Sequence, residues 1–302
     1  MLMKRGQMPH GYTILEVMIF LVITGALLVS ALAMFNGQQN RTRYTQGLRE
    51  MDAQIRAVSN EVQSGYYPSS NTVQCTIVGG VPTLASGSTQ QGANQDCTFL
   101  GKTMQFGLAA GSCSTGSPSD CTQYAVHTVY GRRAESNGQL VQTLEDPDGA
   151  GSKRGAQPQL ANGTNSTPDL SDRRTIPGGL RIYKMYAVRG GTVTIIGAVG
   201  FMYPLTQYAA GSSDPVSGSR SVDLLTVPSS ALGQDDLAAA GSIQGNNIQE
   251  SDRNPDNVVL CFEDQGLGGG RRSAIAIGGQ GRELTTQVYN NIVGANVPGA
   301  AC

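Results

Sequence analysis

Between Tyr12 and Phe35 lie 24 residues in which Glu16 is the only side chain charged at neutral pH. The hydrocarbon core of a bilayer is crossed by about 20 apolar residues in a helix, so this run is long enough to span. A carboxylate at mid-bilayer costs about 2.5 to 3.5 kcal/mol, and an acid inside such a run is by default a functional residue. Glu16 sits near one end, where the cost is lower and where the positive end of a helix dipole favours a carboxylate. No other stretch restricts the fold as strongly, because its one apolar face is every face.

The residues at the start of the run form a pattern. Gly11-Tyr12-Thr13-Ile14-Leu15-Glu16 places a carboxylate five residues after a glycine, and the short leader before it carries Lys4 and Arg5. This resembles the cleavage and N-methylation signature of type IV prepilins, although that family more often has Phe where Tyr12 stands. The resemblance is specific over residues 4–35, residues 36–68 fit it by pattern, and the remainder matches through general layout. It implies removal of residues 1–11 by a dedicated prepilin peptidase, with Tyr12 as the new, methylated terminus. It also implies that Glu16 pairs with the terminal amine of a neighbouring copy, so that both charges are neutralised only on assembly. A buried unpaired charge costs several kcal/mol, which would make this pairing a register check on polymerisation.

Three other readings of the run compete. A secretory signal peptide has a basic start and an apolar core, and Ser30-Ala31-Leu32-Ala33 offers a small-x-small cleavage site. A plain membrane anchor would have the same length, and a buried core helix is the third. An acid at position 16 has no use in a signal peptide or a simple anchor.

Past Phe35 the chain turns polar but keeps a helical period. Tyr44, Leu48, Met51, Ile55, Val58 and Val62 recur at alternating spacings of four and three, one stripe down one helix face. Gly65-Tyr66-Tyr67 and Pro68 close the pattern. One helix is therefore expected from Tyr12 to about Ser64, about 80 Å long at 1.5 Å per residue. Gly25, Gly37 and Gly47 interrupt it, each at about 1 kcal/mol relative to alanine. Gly37 and Gly47 read as close packing, and Gly25 as a place where the helix can stretch or melt in a filament.

Beyond residue 68 the chain is rich in Gly, Ser, Thr, Asn and Gln, a composition for strands and turns. Strands are expected at Val73–Val78, Cys97–Leu100, Lys102–Leu108, Gln123–Tyr130, Leu180–Val188, Thr192–Met202, Ser221–Val227, Val258–Glu263, Ser273–Ile277 and Leu284–Tyr289. Arg189-Gly190-Gly191 marks the clearest hairpin. Residues 71–101 read as a loop region, 145–180 as a long surface excursion, 206–220 as a second one, and 229–240 as one short helix. The fold class expected is α+β: a long N-terminal helix, apolar in its first half and amphipathic in its second, packed on an antiparallel sheet. The boundaries are a leader over 1–11, a helix region over 12–68 with a membrane or filament-core part over 12–35, and a β-rich head over 69–302.

Six cysteines, Cys75, Cys97, Cys113, Cys121, Cys261 and Cys302, all follow the apolar run, and none forms a C-x-x-C pair. An even count in an exported segment reads as three disulfides out of fifteen possible pairings. Proximity in sequence favours Cys75 with Cys97 and Cys113 with Cys121, leaving Cys261 with Cys302. Metal binding is the lesser alternative at these spacings.

Little else carries chemistry. Charged residues are 14% of the chain, below the roughly 25% of ordinary soluble domains, and the net charge is −1. Losing Lys4 and Arg5 would leave 19 basic against 22 acidic residues, or −3, which does not describe a general polyanion binder. His10 leaves with the leader, so His127 stands alone and reads as a cross-strand polar residue, with no Gly-x-Ser-x-Gly near a strand end. Gly266-Leu267-Gly268-Gly269-Gly270 is followed by Arg271-Arg272 and a strand, whereas a phosphate-cradling loop must open a helix. Glu145-Asp146-Pro147-Asp148-Gly149 and the stretch from Asp252 to Asp256 read as solvated acidic turns, with calcium the lesser alternative because the ligand series is incomplete. Some type II secretion pseudopilins hold calcium; Glu16 argues against the tip-most pseudopilin type, which lacks this acid. Arg132-Arg133, Lys153-Arg154, Arg173-Arg174 and Arg271-Arg272 are isolated dibasic pairs, read as solvated or inter-subunit contacts before DNA contacts.

The expectation is thus a non-enzymatic subunit without a cofactor, held in the cytoplasmic membrane before assembly and carried in an extracellular filament afterwards. Its partners by resemblance are copies of itself, the peptidase, the assembly machinery and, for an adhesive filament, a host-cell surface. The alternatives from other classes are a monomeric anchored or secreted surface-binding protein and a type II secretion pseudopilin.

Overall fold

A computed structural model describes residues 13–65, 73–87, 96–107, 122–134, 138, 141, 144, 155–161, 170–203, 222–228, 253–264, 271–278, 284–290, 292, 297–300 and 302. The architecture is α+β. Helix α1 (Ile14–Gln63) runs for 50 residues, and all paired strands are antiparallel. The chain divides into two compact units, Met1–Arg43 and Tyr44–Cys302.

The first unit consists, among the described residues, of the opening of α1. From Ile14 to Leu32 no residue is buried, and Ile14, Leu15, Phe20, Val22 and Val29 are each at least 66% exposed. Among the described residues nothing buries this all-round apolar stretch.

The second unit begins with the remainder of α1. Tyr44, Leu48, Met51, Ile55, Val58 and Val62 are all buried, and they form one core with Met104, Phe106, Leu180, Met185, Leu260 and Ile275 of the sheet. The stripe read at spacings of four and three is therefore the face laid on the sheet. Gly47 lies in the same contact. A Cβ there would meet the Pro177 carbonyl oxygen at 2.6 Å and the Gly178 Cα at 2.8 Å, so the helix approaches a 3-10 turn at Pro177–Gly179 backbone to backbone.

The small sheet pairs β1 (Val73–Val78) with β2 (Val81–Ser86). The large sheet contains β3 (Cys97–Phe106), β4 (Gln123–Arg132), β5 (Gln159–Ala161), β6 (Asp172–Thr175), β7 (Leu180–Arg189), β8 (Thr192–Met202), β9 (Asp223–Pro228), β10 (Asn257–Asp264), β11 (Arg272–Gly278) and β12 (Thr285–Tyr289). Its order is β12-β11-β10-β7-β8-β3-β4-β5, with β6 also on β4 and β9 also on β8. The outer edge of β12 is guarded by the helix. Arg56 donates to the Thr286 hydroxyl at 2.8 Å, the Thr286 hydroxyl bonds Asp52, and Arg56 and Asp52 pair at 3.0 Å.

Several expectations are corrected. Residues 71–101 contain the β1–β2 hairpin, whose Gly79-Gly80 turn takes φ of 61° and 87°; Gly190-Gly191 does the same at 52° and 81° between β7 and β8. Both are two-residue turns of the kind only glycine-like residues accept at both positions. Arg189 belongs to the strand, paired with Thr192. The pieces Cys97–Leu100 and Lys102–Leu108 are one strand, bent where the register shifts between Phe99 and Gly101.

The excursion 145–180 is not all surface. Ala156 and Ala161 are fully buried and Leu160 nearly so, β5 and β6 add to β4, and Leu160 joins Leu100, Val129, Leu144 and Met202 in a second core. A third core gathers Tyr186, Val188, Val259, Ala274, Ala276 and Val297. Apolar groups thus cover both faces of the sheet, which explains why β4 is buried at nine consecutive positions. Alternation of polar and apolar residues is expected only where one face meets water. The expected helix at 229–240 and the excursion 206–220 lie outside the described residues.

Candidate assembly site at the start of α1

Thr13 sits outside the helix and Ile14 is its first residue. The Glu16 amide donates to the Thr13 hydroxyl oxygen at 3.3 Å, and the Val17 amide to the Thr13 carbonyl at 3.2 Å. Thr13 is therefore the N-cap, accepting one of the amide protons that no helical carbonyl can reach. Glu16 falls in the first turn, as a capping-box acid does, and its residue is exposed. The sequence reading missed this: Thr-x-x-Glu before an apolar run is the signal, and it supplies a local reason for the acid beside the inter-subunit one that the resemblance implies. Gly11 and Tyr12, the expected processing residues, lie outside the described residues, as does the leader.

Downstream, the segment Ile14–Leu32 has a mean hydropathy of 2.5 over 19 residues. At 1.5 Å per residue it covers about 28 Å, close to a hydrocarbon core of about 30 Å. Its two hydroxyls are satisfied inside the helix. Thr24 donates to the Phe20 carbonyl at 2.8 Å and Ser30 to the Ala26 carbonyl at 2.9 Å. In an apolar surrounding an unpaired hydroxyl would cost several kcal/mol, so this arrangement makes the segment fit for lipid or for a helix bundle. Among the described residues it is the one helix long and apolar enough to cross a membrane.

The cysteines behave as a disulfide framework. Cys75 bonds Cys97, joining the small sheet to β3, and Cys261 on β10 bonds Cys302, with Cα separations of 6.1 and 5.7 Å. Cys302 is further held by the Tyr183 hydroxyl, which donates to its carbonyl at 2.9 Å, so the final described residue is tied down. Cys113 and Cys121 lie outside the described residues. No described group of three His, Cys, Asp or Glu could hold a metal ion.

The remaining candidates are structural. His127 on β4 is buried between Gln105 of β3, at 3.0 Å from Nε2, and the Ser171 hydroxyl, at 2.7 Å from Nδ1, the cross-strand role expected of it. Arg132 is buried and donates to the Gly155 carbonyl at 2.6 Å. Arg174 is paired with Asp172, whose hydrogen bond holds the guanidinium above its ordinary range. Arg272 stacks 4.9 Å over the Tyr183 ring. These three belong to β4, β6 and β11 and each makes contacts within the head. Lys153-Arg154, the Glu145–Gly149 loop and the Gly266–Gly270 loop lie outside the described residues. Asp256 accepts from the Gly190 amide at 2.7 Å, closing the β7–β8 turn. Burial pushes the hydroxyls of Tyr44 and Tyr130 up to about 12, and raises those of Tyr124 and Tyr183.

One helix–sheet ion pair escaped the sequence reading. Lys102 of β3, buried, meets Glu61 near the end of α1. Nothing in the spacing of a lysine and a glutamate 41 residues apart announces such a contact. No family model, curated protein or solved structure matches the chain.

Proposed function

We propose that this chain is a filament subunit of the type IV pilin kind, cut after Gly11 and assembled through the first half of α1, with the disulfide-tied head carried on the surface. The observation that carries the reading is Glu16. It is an exposed acid in the first turn of a helix whose next 24 residues bear no charge, and none of the residues from Ile14 to Leu32 is buried. The resemblance of Gly11-Tyr12-Thr13-Ile14-Leu15-Glu16 to the prepilin signature supports the same reading. So do the two disulfides that tie the head, which suit a part exposed outside the cell.

On this reading the partners are other copies of the chain, the prepilin peptidase and assembly machinery, and the cytoplasmic membrane that stores the subunit. Surface adhesion and twitching motility, including contact with a host cell, are the filament-level activities such a subunit serves. Mass spectrometry of the mature N-terminus tests it. A chain beginning at N-methylated Tyr12 is expected. A chain beginning at Met34 would mean a secreted protein, an intact leader a simple anchor, and either would overturn the proposal.

A further inference from the structure

The charges that follow the apolar segment carry a second inference, which rests on the reading that this segment lies in a bilayer. Between Glu16 and Glu50 the only charged side chains are Arg41, Arg43 and Arg49. Arg41 and Arg43 belong to the first unit, on the same helix as the span, and both are exposed. The five residues after Phe35 are Asn36, Gly37, Gln38, Gln39 and Asn40, polar and uncharged. At 1.5 Å per residue, Arg41 stands about 9 Å beyond Phe35 along the axis. The interfacial zone of one leaflet is about 5 to 7 Å deep.

Helical Cα–Cβ bonds tilt toward the N-terminus, so long side chains at positions 41 and 43 can extend back toward the span. Long basic side chains bridge such a gap by snorkelling, the stem along the helix and the head at the phosphate level. Arg41 and Arg43 are two residues apart, which puts them about 200° apart around the axis, so they reach lipid on opposite sides of the helix. A guanidinium matches the fork of a phosphate, and no carboxylate on this stretch competes for the phosphate before Glu50.

We infer that Arg41 and Arg43 form a collar that binds the phosphates of anionic phospholipids in the leaflet at the C-terminal end of the span. The partner is the anionic membrane surface itself. The collar favours the lipid-stored subunit and must give up its lipids when the subunit leaves the bilayer. Its two arginines also match in number Lys4 and Arg5 on the other flank, so basic-residue bias alone does not orient the span.

The test uses the full-length chain reconstituted in vesicles of phosphatidylcholine mixed with phosphatidylglycerol, at low salt. Resistance to carbonate extraction reports whether the chain is inserted. Electron paramagnetic resonance of spin-labelled phosphatidylglycerol and of spin-labelled phosphatidylcholine reports which lipid the protein immobilises. The wild type is expected to prefer phosphatidylglycerol, and R41Q/R43Q to lose about fivefold or more of that preference while remaining inserted. R173Q, an exposed arginine of β6, serves as the control and should leave the preference unchanged. An inserted R41Q/R43Q with undiminished preference, or an equal loss in R173Q, overturns the collar and leaves the membrane span standing. Complete extraction of the wild type overturns the span and the collar together.

Discussion

Replacing Glu16 with alanine separates the two roles the acid can have, because they predict effects of opposite sign. As a first-turn residue it is worth about 0.3 to 1 kcal/mol through the helix dipole. The cap it accompanies, a 3.3 Å contact from its amide to the Thr13 hydroxyl in an exposed turn, belongs at the weak end of the usual range, about 0.5 to 1 kcal/mol. If that were all, removing the charge would relieve about 2.5 to 3.5 kcal/mol of cost in an apolar surrounding, less for a position near the end, and Glu16→Ala subunits would insert and assemble at least as well as wild type. If the carboxylate is instead paired with a neighbour's terminal amine, its removal strands that amine at a cost of about 3 to 5 kcal/mol. At 1.4 kcal/mol per tenfold, assembly then falls by about a hundredfold or more. The assay is the sheared filament fraction, quantified by immunoblot against total subunit in cells supplying the assembly machinery. Thr13→Ala is the companion variant, expected to lower the yield less than about fivefold because only the cap is lost. Wild-type yield in Glu16→Ala would refute the proposed pairing, and an equal loss in Thr13→Ala would assign the defect to a disturbed helix start rather than to the missing charge.

Five further outcomes follow from the head and helix. Ile55→Ala removes three buried carbons from the helix–sheet core and should cost about 2 to 5 kcal/mol, read as a fall of several degrees or more in the thermal midpoint of the detergent-solubilised chain. Gly47→Ala should destabilise by about 1 to 3 kcal/mol in the same melt, although alanine is the better helix former, because its methyl meets backbone at Pro177 and Gly178; Gly25→Ala, with nothing within 4 Å, should strengthen the helix by up to about 1 kcal/mol, seen as higher ellipticity. Cys302→Ser opens a loop of 41 residues and should cost about 4 kcal/mol on the chain-entropy account, checked by chemical denaturation. Tyr44 and Tyr130 ionise near 10 when unfolded and near 12 when folded, so the folded state holds their protons longer; full stability below pH 10 should decline between pH 10 and 12 by about 2 to 3 kcal/mol per residue, and a double Phe variant should show a shallower decline.

How much of this was legible in the sequence depends on whether the information was periodic. The stripe from Tyr44 to Val62 could be read because a helix repeats, and every one of its six residues is buried. Cys75–Cys97 and Cys261–Cys302 could be read because proximity left few sensible partners. The β1–β2 hairpin was legible but overlooked: Gly79-Gly80 between Val78 and Val81 is the same signal as Gly190-Gly191, masked by the Ser- and Gln-rich residues that follow. β5 and β6 were not legible, since three and four residues amid prolines and glycines carry no period. Their place is set by β4, whose far side they cover. Contacts such as Tyr124 to Gln54 at 2.5 Å, or Lys102 to Glu61, arise only once the helix is docked. For the candidate site, the acid and the span were legible and the Thr13 cap was legible in principle.

One physical asymmetry explains why a lone acid can matter so much in this chain. Thirteen large apolar side chains between Ile14 and Leu32 are exposed. At about 1.5 to 3 kcal/mol each, covering them is worth roughly 20 to 40 kcal/mol, more than the whole stability of a typical domain. Left in water, the segment would forgo that stabilisation. Yet lipid tails and a bundle of like helices satisfy an apolar surface almost equally, so, if the proposed function holds, the hydrophobic effect would not choose between storage in a membrane and incorporation into a filament. The choice falls to whatever differs between those two surroundings, and a bundle can offer a charged partner where lipid tails offer none. Within the apolar run itself Glu16 is the one ionisable side chain, so on the proposed reading it is the group there that a neighbour's terminal amine would select.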